Sequence, residues 1–149
     1  MADEPAAFDK PTWIESLFGR AIGALVRLGI GPGHMRVLEV RGRKSGNLYS
    51  LPVDLLELEG RLYLVAPRGQ TQWARNVGAA GEVTLRRGSA AERYSVRVLG
   101  DAEKPPVLKA YLDNFRREVQ RFFPVAAGSP VDDFAPLASR YPAFELSRR

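Results

Sequence analysis

The feature that most constrains the fold is a pair of alternating apolar runs joined by a short cationic turn. Apolar side chains alternate with other residues at 35–37 and again at 49–55. A period of two residues is typical of a half-buried β-strand. The sequence RGRKSG at 41–46 lies between the runs, and its glycines, Gly42 and Gly46, can adopt positive φ. The stretch therefore predicts a β-hairpin whose tip carries Arg41, Arg43 and Lys44.

The chemistry of this tip has two interpretations. Exposed backbone amides, the Ser45 hydroxyl and the three cations would suit a phosphate-like group. The alternative is a solvated turn with ordinary surface charges, and spacing alone favours that alternative.

Composition excludes several kinds of chemistry. The 149 residues include no cysteine, which excludes disulfides, thiolate catalysis and cysteine-ligated metals. The single histidine, His34, follows a Gly-Pro-Gly turn, and we interpret it as an ordinary loop residue. The net charge of +5, mostly from arginine, suits an anionic partner such as nucleic acid, acidic lipid or a phosphorylated cofactor.

Periodicity predicts about six antiparallel strands with helices at the ends and one helix inserted. We expect helices at 11–28, 72–78, 105–122 and 132–140, and strands at 35–41, 48–58, 61–66, 82–87, 92–99 and 143–146. Pro52 cannot donate to a strand ladder, so it marks an edge, a bulge or a kink in the second strand. Curling such a sheet removes its edges, which predicts a mainly β small barrel with flanking helices. We expect one domain over 1–149, with the barrel core at 34–100 and 143–147 and C-terminal helices at 105–140.

Four segments of this barrel are expected to converge on one site. Main-chain groups beside Pro52 would be free to bond the edge of a flat heterocycle. The loop after the third strand leads to a helix N-terminus near Thr71, where amides and the helix dipole favour an anion. Asp54 and Glu57 fall on opposite faces of their strand, so no acid–base pair of carboxylates is predicted. The candidate residues are Arg43, Lys44, Ser45, Gly46, Leu51, Pro52, Val53, Ala66, Pro67, Arg68, Gly69, Trp73, Arg75 and Asn76.

These segments resemble the deazaflavin-dependent nitroreductase family, a branch of the flavin/deazaflavin oxidoreductases with a split β-barrel. The resemblance rests on GRKSG at 42–46 with LPV at 51–53, LVAPRG at 64–69, QWARNV at 72–77 and AAG at 79–81. It implies coenzyme F-420 as the cofactor, with FMN as the alternative. It also implies hydride transfer from the reduced coenzyme to an electron-poor acceptor: a quinone, an enone or a nitro compound.

The resemblance also implies roles for the candidate residues. Residues 43–46 would hold the phosphate or acidic tail of the coenzyme, 51–53 the deazaflavin ring, and 66–69 the rest of the pocket. Trp73, Arg75 and Asn76 would border that pocket, although core packing is the other role open to Trp73. Many members carry an arginine where this chain has Tyr49, and Arg41 and Arg61 are the candidate replacements. Tyr49, Tyr111 and Tyr141 are candidate proton donors, each with a structural role as its alternative, and no residue is assigned as catalytic.

Other functions and partners stay open from the sequence. A non-catalytic carrier of a hydrophobic or tetrapyrrole ligand would use the same barrel. A nucleic-acid binder ranks last because the cations cluster at turns, so we expect a small-molecule acceptor and no nucleic acid. The apolar stripe of the helix at 11–28 is expected to pack on the sheet, with lying on a membrane or covering a ligand as other uses. The same stripe offers a surface for pairing, which predicts a homodimer. Asp3 and Glu4 do not suit a secretory signal, so a cytoplasmic location is expected.

Overall fold

The alternating runs form the strands of one antiparallel sheet in the structure, a computed structural model that describes residues 33–149. The strand order is β2-β1-β5-β6-β7-β4-β3, and every neighbouring pair is antiparallel. The strands are β1 (Met35–Arg41), β2 (Leu48–Asp54), β3 (Leu56–Leu58), β4 (Arg61–Val65), β5 (Glu82–Arg87), β6 (Ala90–Val98) and β7 (Ala143–Arg148). The sheet is curled into a half-barrel with flanking helices, which confirms the predicted mainly β split-barrel fold.

The prediction of one long strand at 48–58 is wrong, since two strands occupy this range and the sheet has seven strands where about six were predicted. The strand is interrupted at Leu55, whose backbone N–H donates to the His34 carbonyl at 2.8 Å. This interruption lets β2 and β3 lie at opposite edges of one curled sheet although they are consecutive in sequence. Pro52 itself pairs in register with Val37 in the edge strand β2, where a missing N–H is tolerated.

The tight turn predicted at Glu59-Gly60 is confirmed by its backbone angles. Glu59 has φ 52° and Gly60 has φ 78°, as a two-residue hairpin turn requires. This turn joins β3 to β4 and fixes the register of one edge of the sheet.

Two α-helices flank the sheet in the described part of the chain. Helix α1 (Gln72–Ala80) begins after Thr71, whose hydroxyl accepts from the Ala74 amide at 3.4 Å, as the capping pattern predicts. Helix α2 (Lys104–Val119) is kinked at Phe115 and is followed by a 3₁₀ turn at Gln120–Phe122. The helix predicted at 132–140 is instead a 3₁₀ helix, Val131–Arg140, with Pro136 inside it. The helix predicted at 11–28 lies outside the described residues.

The sheet separates two apolar cores. One lies between the sheet and α2 with the 3₁₀ helix, and includes Leu108, Leu112 and Phe134, all fully buried. The other packs α1 onto the sheet, with Leu38 and Val77 fully buried. The second core therefore fixes α1 next to the strand end that carries the hairpin turn.

Candidate functional site

The β1–β2 turn has a defined backbone shape. The Gly42 amide donates to the Asn47 carbonyl at 2.7 Å, and the Gly46 amide donates to the Gly42 carbonyl at 2.9 Å. Of the two glycines, Gly46 adopts the positive φ, at 74°. The Ser45 hydroxyl accepts from the Asn47 amide at 3.1 Å, so the turn is held from within by both backbone and side-chain bonds.

Gly42 is required for a different reason, which is the close approach of Tyr49. A Cβ added at Gly42 would lie 2.6 Å from Cε2 of Tyr49 and 2.9 Å from the Ser45 hydroxyl oxygen. A Cβ added at Gly46 would meet no atom within 4 Å. The turn therefore has one face covered by the tyrosine ring and an open face above Gly46.

Asn76 ties this turn to helix α1. Its Oδ1 accepts from the Arg43 backbone amide at 3.1 Å and from Arg43 Nη1 at 2.8 Å. Arg43 Nη2 also donates to Oε1 of Gln72 at 3.1 Å. Because Asn76 is buried, it holds Arg43 in one position, and the guanidinium of Arg43 fastens the turn to the helix.

The loop after β4 is ordered by its own backbone bonds. The Ala66 amide donates to the Pro142 carbonyl at 2.9 Å, and the Gly69 amide donates back to Ala66 at 3.1 Å. Gly69 has φ 90° and accepts from the Thr71 amide at 2.8 Å. The guanidinium carbon of Arg68 lies 5.0 Å from the centroid of the Phe122 ring, so this cation stacks on an aromatic side chain.

The structure brings some of the predicted residues together and buries others. The turn at 43–46 and α1 are in direct contact, whereas Val53 is buried in the second core and Leu51 packs against that core. Trp73 is partly buried, with its ring centroid 6.3 Å from that of Phe144, so core packing is part of its role.

Lys44 and Arg75 are exposed cations at this end of the sheet. Neither side chain has a hydrogen-bond or ion-pair partner among residues 33–149. Lys44 lies in the turn beside Ser45 and the open face of Gly46, and Arg75 precedes Asn76 on α1; these are donors of the kind that bind a phosphate or carboxylate. The residues present therefore fit an acidic cofactor at the turn.

Arg41 and Arg61, the two candidate replacements for the arginine absent at Tyr49, lie at different ends of the sheet. Arg41 Nη1 donates to the Gly46 carbonyl at 3.1 Å, which places this cation at the turn. Arg61 Nη1 lies 3.1 Å from Oε2 of Glu145.

A cleft lies at the opposite end of the sheet, where β1 begins and β5 ends; we call this the arginine end. Its volume is about 1550 Å³, and arginines 36, 61, 87 and 148 line it. None of the fourteen predicted site residues lines this cleft. Sequence reasoning therefore missed it, because it forms only where six strands meet.

The sequence analysis also missed a cluster around His34, which is more than a loop residue. His34 Nε2 lies 3.1 Å from Asp54 Oδ1 and 3.6 Å from Glu118 Oε1, and its ring lies 4.5 Å from that of Phe115. Burial raises the pKa of Asp54 to about 6, with His34 acting against this shift and Glu118 adding to it. The hairpin register was the available signal, because pairing Met35 with Asp54 brings the preceding residue, His34, to the end of β2.

The three candidate tyrosines differ in exposure. Tyr141 is buried and donates to the Phe122 carbonyl at 2.5 Å. Tyr111 is also buried, and burial raises its pKa well above the ordinary value. Tyr49 is 47% exposed, and its hydroxyl lies 3.3 Å from that of Ser45. Tyr49 is thus the one of the three that lies at the turn.

Comparison with known proteins decides the family. A family model described as F420H(2)-dependent quinone reductase matches residues 17–122, more than half of the chain. The chain belongs to this family. It is therefore a reductase that depends on coenzyme F-420, which confirms the coenzyme and the enzyme class predicted from the sequence. No curated protein matches the chain.

Solved structures share the fold. An F420-H2-dependent reductase is 20% identical, with a TM-score of 0.52, covering 77% of this chain and 95% of that one. A protein described as a domain-swapped dimer is 18% identical, with a TM-score of 0.54 and coverage of 91% and 97%. A heme-binding protein from Mycobacterium smegmatis is 12% identical, with a TM-score of 0.52 and coverage of 95% and 53%. At these identities the likeness shows the fold alone.

The described residues lack two further features. Within 33–149, no group of three or more His, Cys, Asp or Glu side chains could hold a metal ion. In the same range, none of the helices has the length and apolar character needed to cross a bilayer.

Proposed function

We propose that this reductase uses a quinone as its acceptor and binds the acidic part of coenzyme F-420 at the β1–β2 turn. The observation that carries the site is the exposed Lys44 in the turn, together with the exposed Arg75 on the helix that holds this turn through Asn76. Charge-assisted bonds from these groups would bind a phosphodiester or a carboxylate. The family description supports the acceptor.

In this proposal, the role of Arg43 and Asn76 is to position the turn. Their bonds fix the turn against α1, so that Lys44 and the Ser45 hydroxyl are positioned before the coenzyme binds. Such pre-organisation lowers the ordering cost of binding. Arg43 is therefore a positioning residue, and Lys44 and Arg75 contact the acidic group.

The edge strand β2 would hold the ring. Its outer side has no strand partner within the described residues, and Pro52 and Leu51 are partly buried there. Main-chain groups of an unpaired edge can bond the polar edge of a heterocycle. When bound, the reduced coenzyme supplies a hydride, and the protein contributes orientation and positive charge.

Steady-state oxidation of the reduced coenzyme by the purified chain tests the acceptor. We expect faster turnover with menadione, a soluble quinone, than with a nitroimidazole or a cyclic enone at equal concentration. Faster turnover with the nitro compound or the enone would contradict the quinone assignment while leaving the coenzyme assignment intact.

A further inference from the structure

The cleft at the arginine end has no part in the proposed coenzyme site. Its lining carries arginines 36, 61, 87 and 148 and glutamates 57, 92 and 145. Two of the arginines are paired with carboxylates. Arg61 Nη1 lies 3.1 Å from Glu145 Oε2, and Arg148 Nε lies 3.0 Å from Glu92 Oε2. Arg36 and Arg87 lie in the same lining as these two pairs.

Arg36 and Arg87 bring two positive charges to one oxygen atom. Nη1 of Arg36 donates to the Met35 carbonyl at 2.9 Å, and Nη1 of Arg87 donates to the same carbonyl at 3.2 Å. Two like charges this close repel each other, and partial burial weakens the screening by water. Burial and the charge of Arg87 accordingly lower the pKa of Arg36. An anion bound to Arg36 would offset this repulsion.

Arg36 has donors to offer such an anion. Its Nη1 is bound to the carbonyls of Met35 and Gly33, the latter at 2.6 Å. Its Nε and Nη2 have no acceptor among residues 33–149. These two nitrogens lie on one edge of the planar guanidinium and match the two oxygens of a carboxylate. Glu92, whose charge acts on Arg36, is already bound to Arg148 and to the Tyr94 hydroxyl.

The rest of the cleft wall is partly apolar. Leu55, Leu62 and Phe115 line it, and its volume of about 1550 Å³ has room for a small organic molecule. We propose that this cleft binds an organic carboxylate, whose head is held by the Nε–Nη2 edge of Arg36 beside Arg87 and whose apolar body lies against Leu55, Leu62 and Phe115. This site does not depend on the proposed coenzyme site.

Isothermal titration of the full chain, in which residues 1–32 are present, tests the ligand chemistry. The probes are 2-naphthoate, its neutral isostere 2-naphthamide, and inorganic phosphate. We expect 2-naphthoate to bind at least tenfold more tightly than each of the other two. Equal binding of naphthoate and naphthamide would overturn the proposal, and so would phosphate binding as tight as that of naphthoate.

Two variants assign the head group. We expect Arg36→Gln to weaken 2-naphthoate binding at least tenfold and to leave the weak binding of 2-naphthamide unchanged. Arg61→Gln is the matched control, because Arg61 lines the same cleft but is paired with Glu145, and its affinity for 2-naphthoate should stay within twofold of wild type. Equal losses of 2-naphthoate affinity in the two variants would contradict the role of Arg36. The comparison of naphthoate with naphthamide uses the unmodified chain, so it does not depend on the folding of either variant.

Discussion

Asp54 is the residue whose protonation the fold alters most clearly. Burial raises its pKa from 3.8 to about 6, so the folded protein binds this proton more tightly than the unfolded chain does. The contribution of this bound proton to the free energy of unfolding is fully present at low pH. It is lost as the pH rises from about 4 to about 6. At neutral pH the buried carboxylate therefore lowers the free energy of unfolding.

Replacing this carboxyl by a neutral amide should remove that cost. We expect Asp54→Asn to raise the free energy of unfolding by about 1–2 kcal/mol at pH 7.5, and the gain to disappear near pH 4, where the aspartic acid is itself neutral. Urea unfolding at both pH values measures this. Glu57→Gln, which changes an exposed carboxyl on the next strand, is the control. If Asp54→Asn instead lowered the free energy of unfolding at pH 7.5, the stabilising contact of the carboxylate with His34 would be larger than the cost of burying it.

The sequence predicted the roles of single residues correctly where local propensity determines those roles. Thr71 as a helix cap and Glu59-Gly60 as a turn follow from propensities over four or fewer residues. His34 was misjudged because its contacts with Glu118 and Phe115 come from a helix about eighty residues further along the chain. No periodicity or spacing in the sequence indicates a contact over such a distance along the chain.

At the scale of elements, the attachment of the β1–β2 turn to α1 depends on one buried amide. Asn76→Ala would leave the Arg43 amide and guanidinium without their common acceptor. We expect a loss of about 1–3 kcal/mol in the free energy of unfolding. Amide hydrogen exchange at 43–47 should also become faster, because the turn is released from the helix.

Gln72→Ala is the matched control for this prediction. Gln72 is exposed and accepts a single bond from Arg43. Its replacement should change the free energy of unfolding by no more than about 0.5 kcal/mol. If both variants lost the same stability, or if neither changed exchange in the turn, the buried amide would not be what holds the turn.

The positions of strands could be predicted from the alternation of apolar residues, whereas the interruption of a strand could not. The strands at 35–41 and 82–87 match the structure because each has a clear period of two. The break at Leu55 was not predicted, because the visible local signal was Pro52, which marks the edge strand β2. The true break arises from the curl of the whole sheet, in which β2 and β3 become opposite edges.

At the scale of the whole molecule, the two proposed sites lie at opposite ends of β1. That strand spans Met35–Arg41, which corresponds to roughly 20 Å. We expect 2-naphthoate at saturation to change the dissociation constant of oxidised coenzyme F-420 by less than twofold. Fluorescence titration of the coenzyme with and without 2-naphthoate measures this, and direct competition would mean that the two molecules share one site.

The prediction of a homodimer also belongs to this scale. It rests on the apolar stripe of 11–28, outside the described residues, and stays a prediction together with the membrane contact and the cytoplasmic location. Light scattering of the full chain should give twice the mass of one chain at tens of micromolar. The mass of a single chain would contradict the dimer.

The central claim is that exposed cations of the β1–β2 turn bind the acidic part of the coenzyme, and equilibrium binding of oxidised coenzyme F-420 tests it most directly. Lys44→Ala should raise the dissociation constant about tenfold, as expected for the loss of one charge-assisted bond. Arg117→Ala, which removes one exposed cation from α2, should leave it unchanged. Equal affinities of wild type and Lys44→Ala, or an equal loss in Arg117→Ala, would contradict the account.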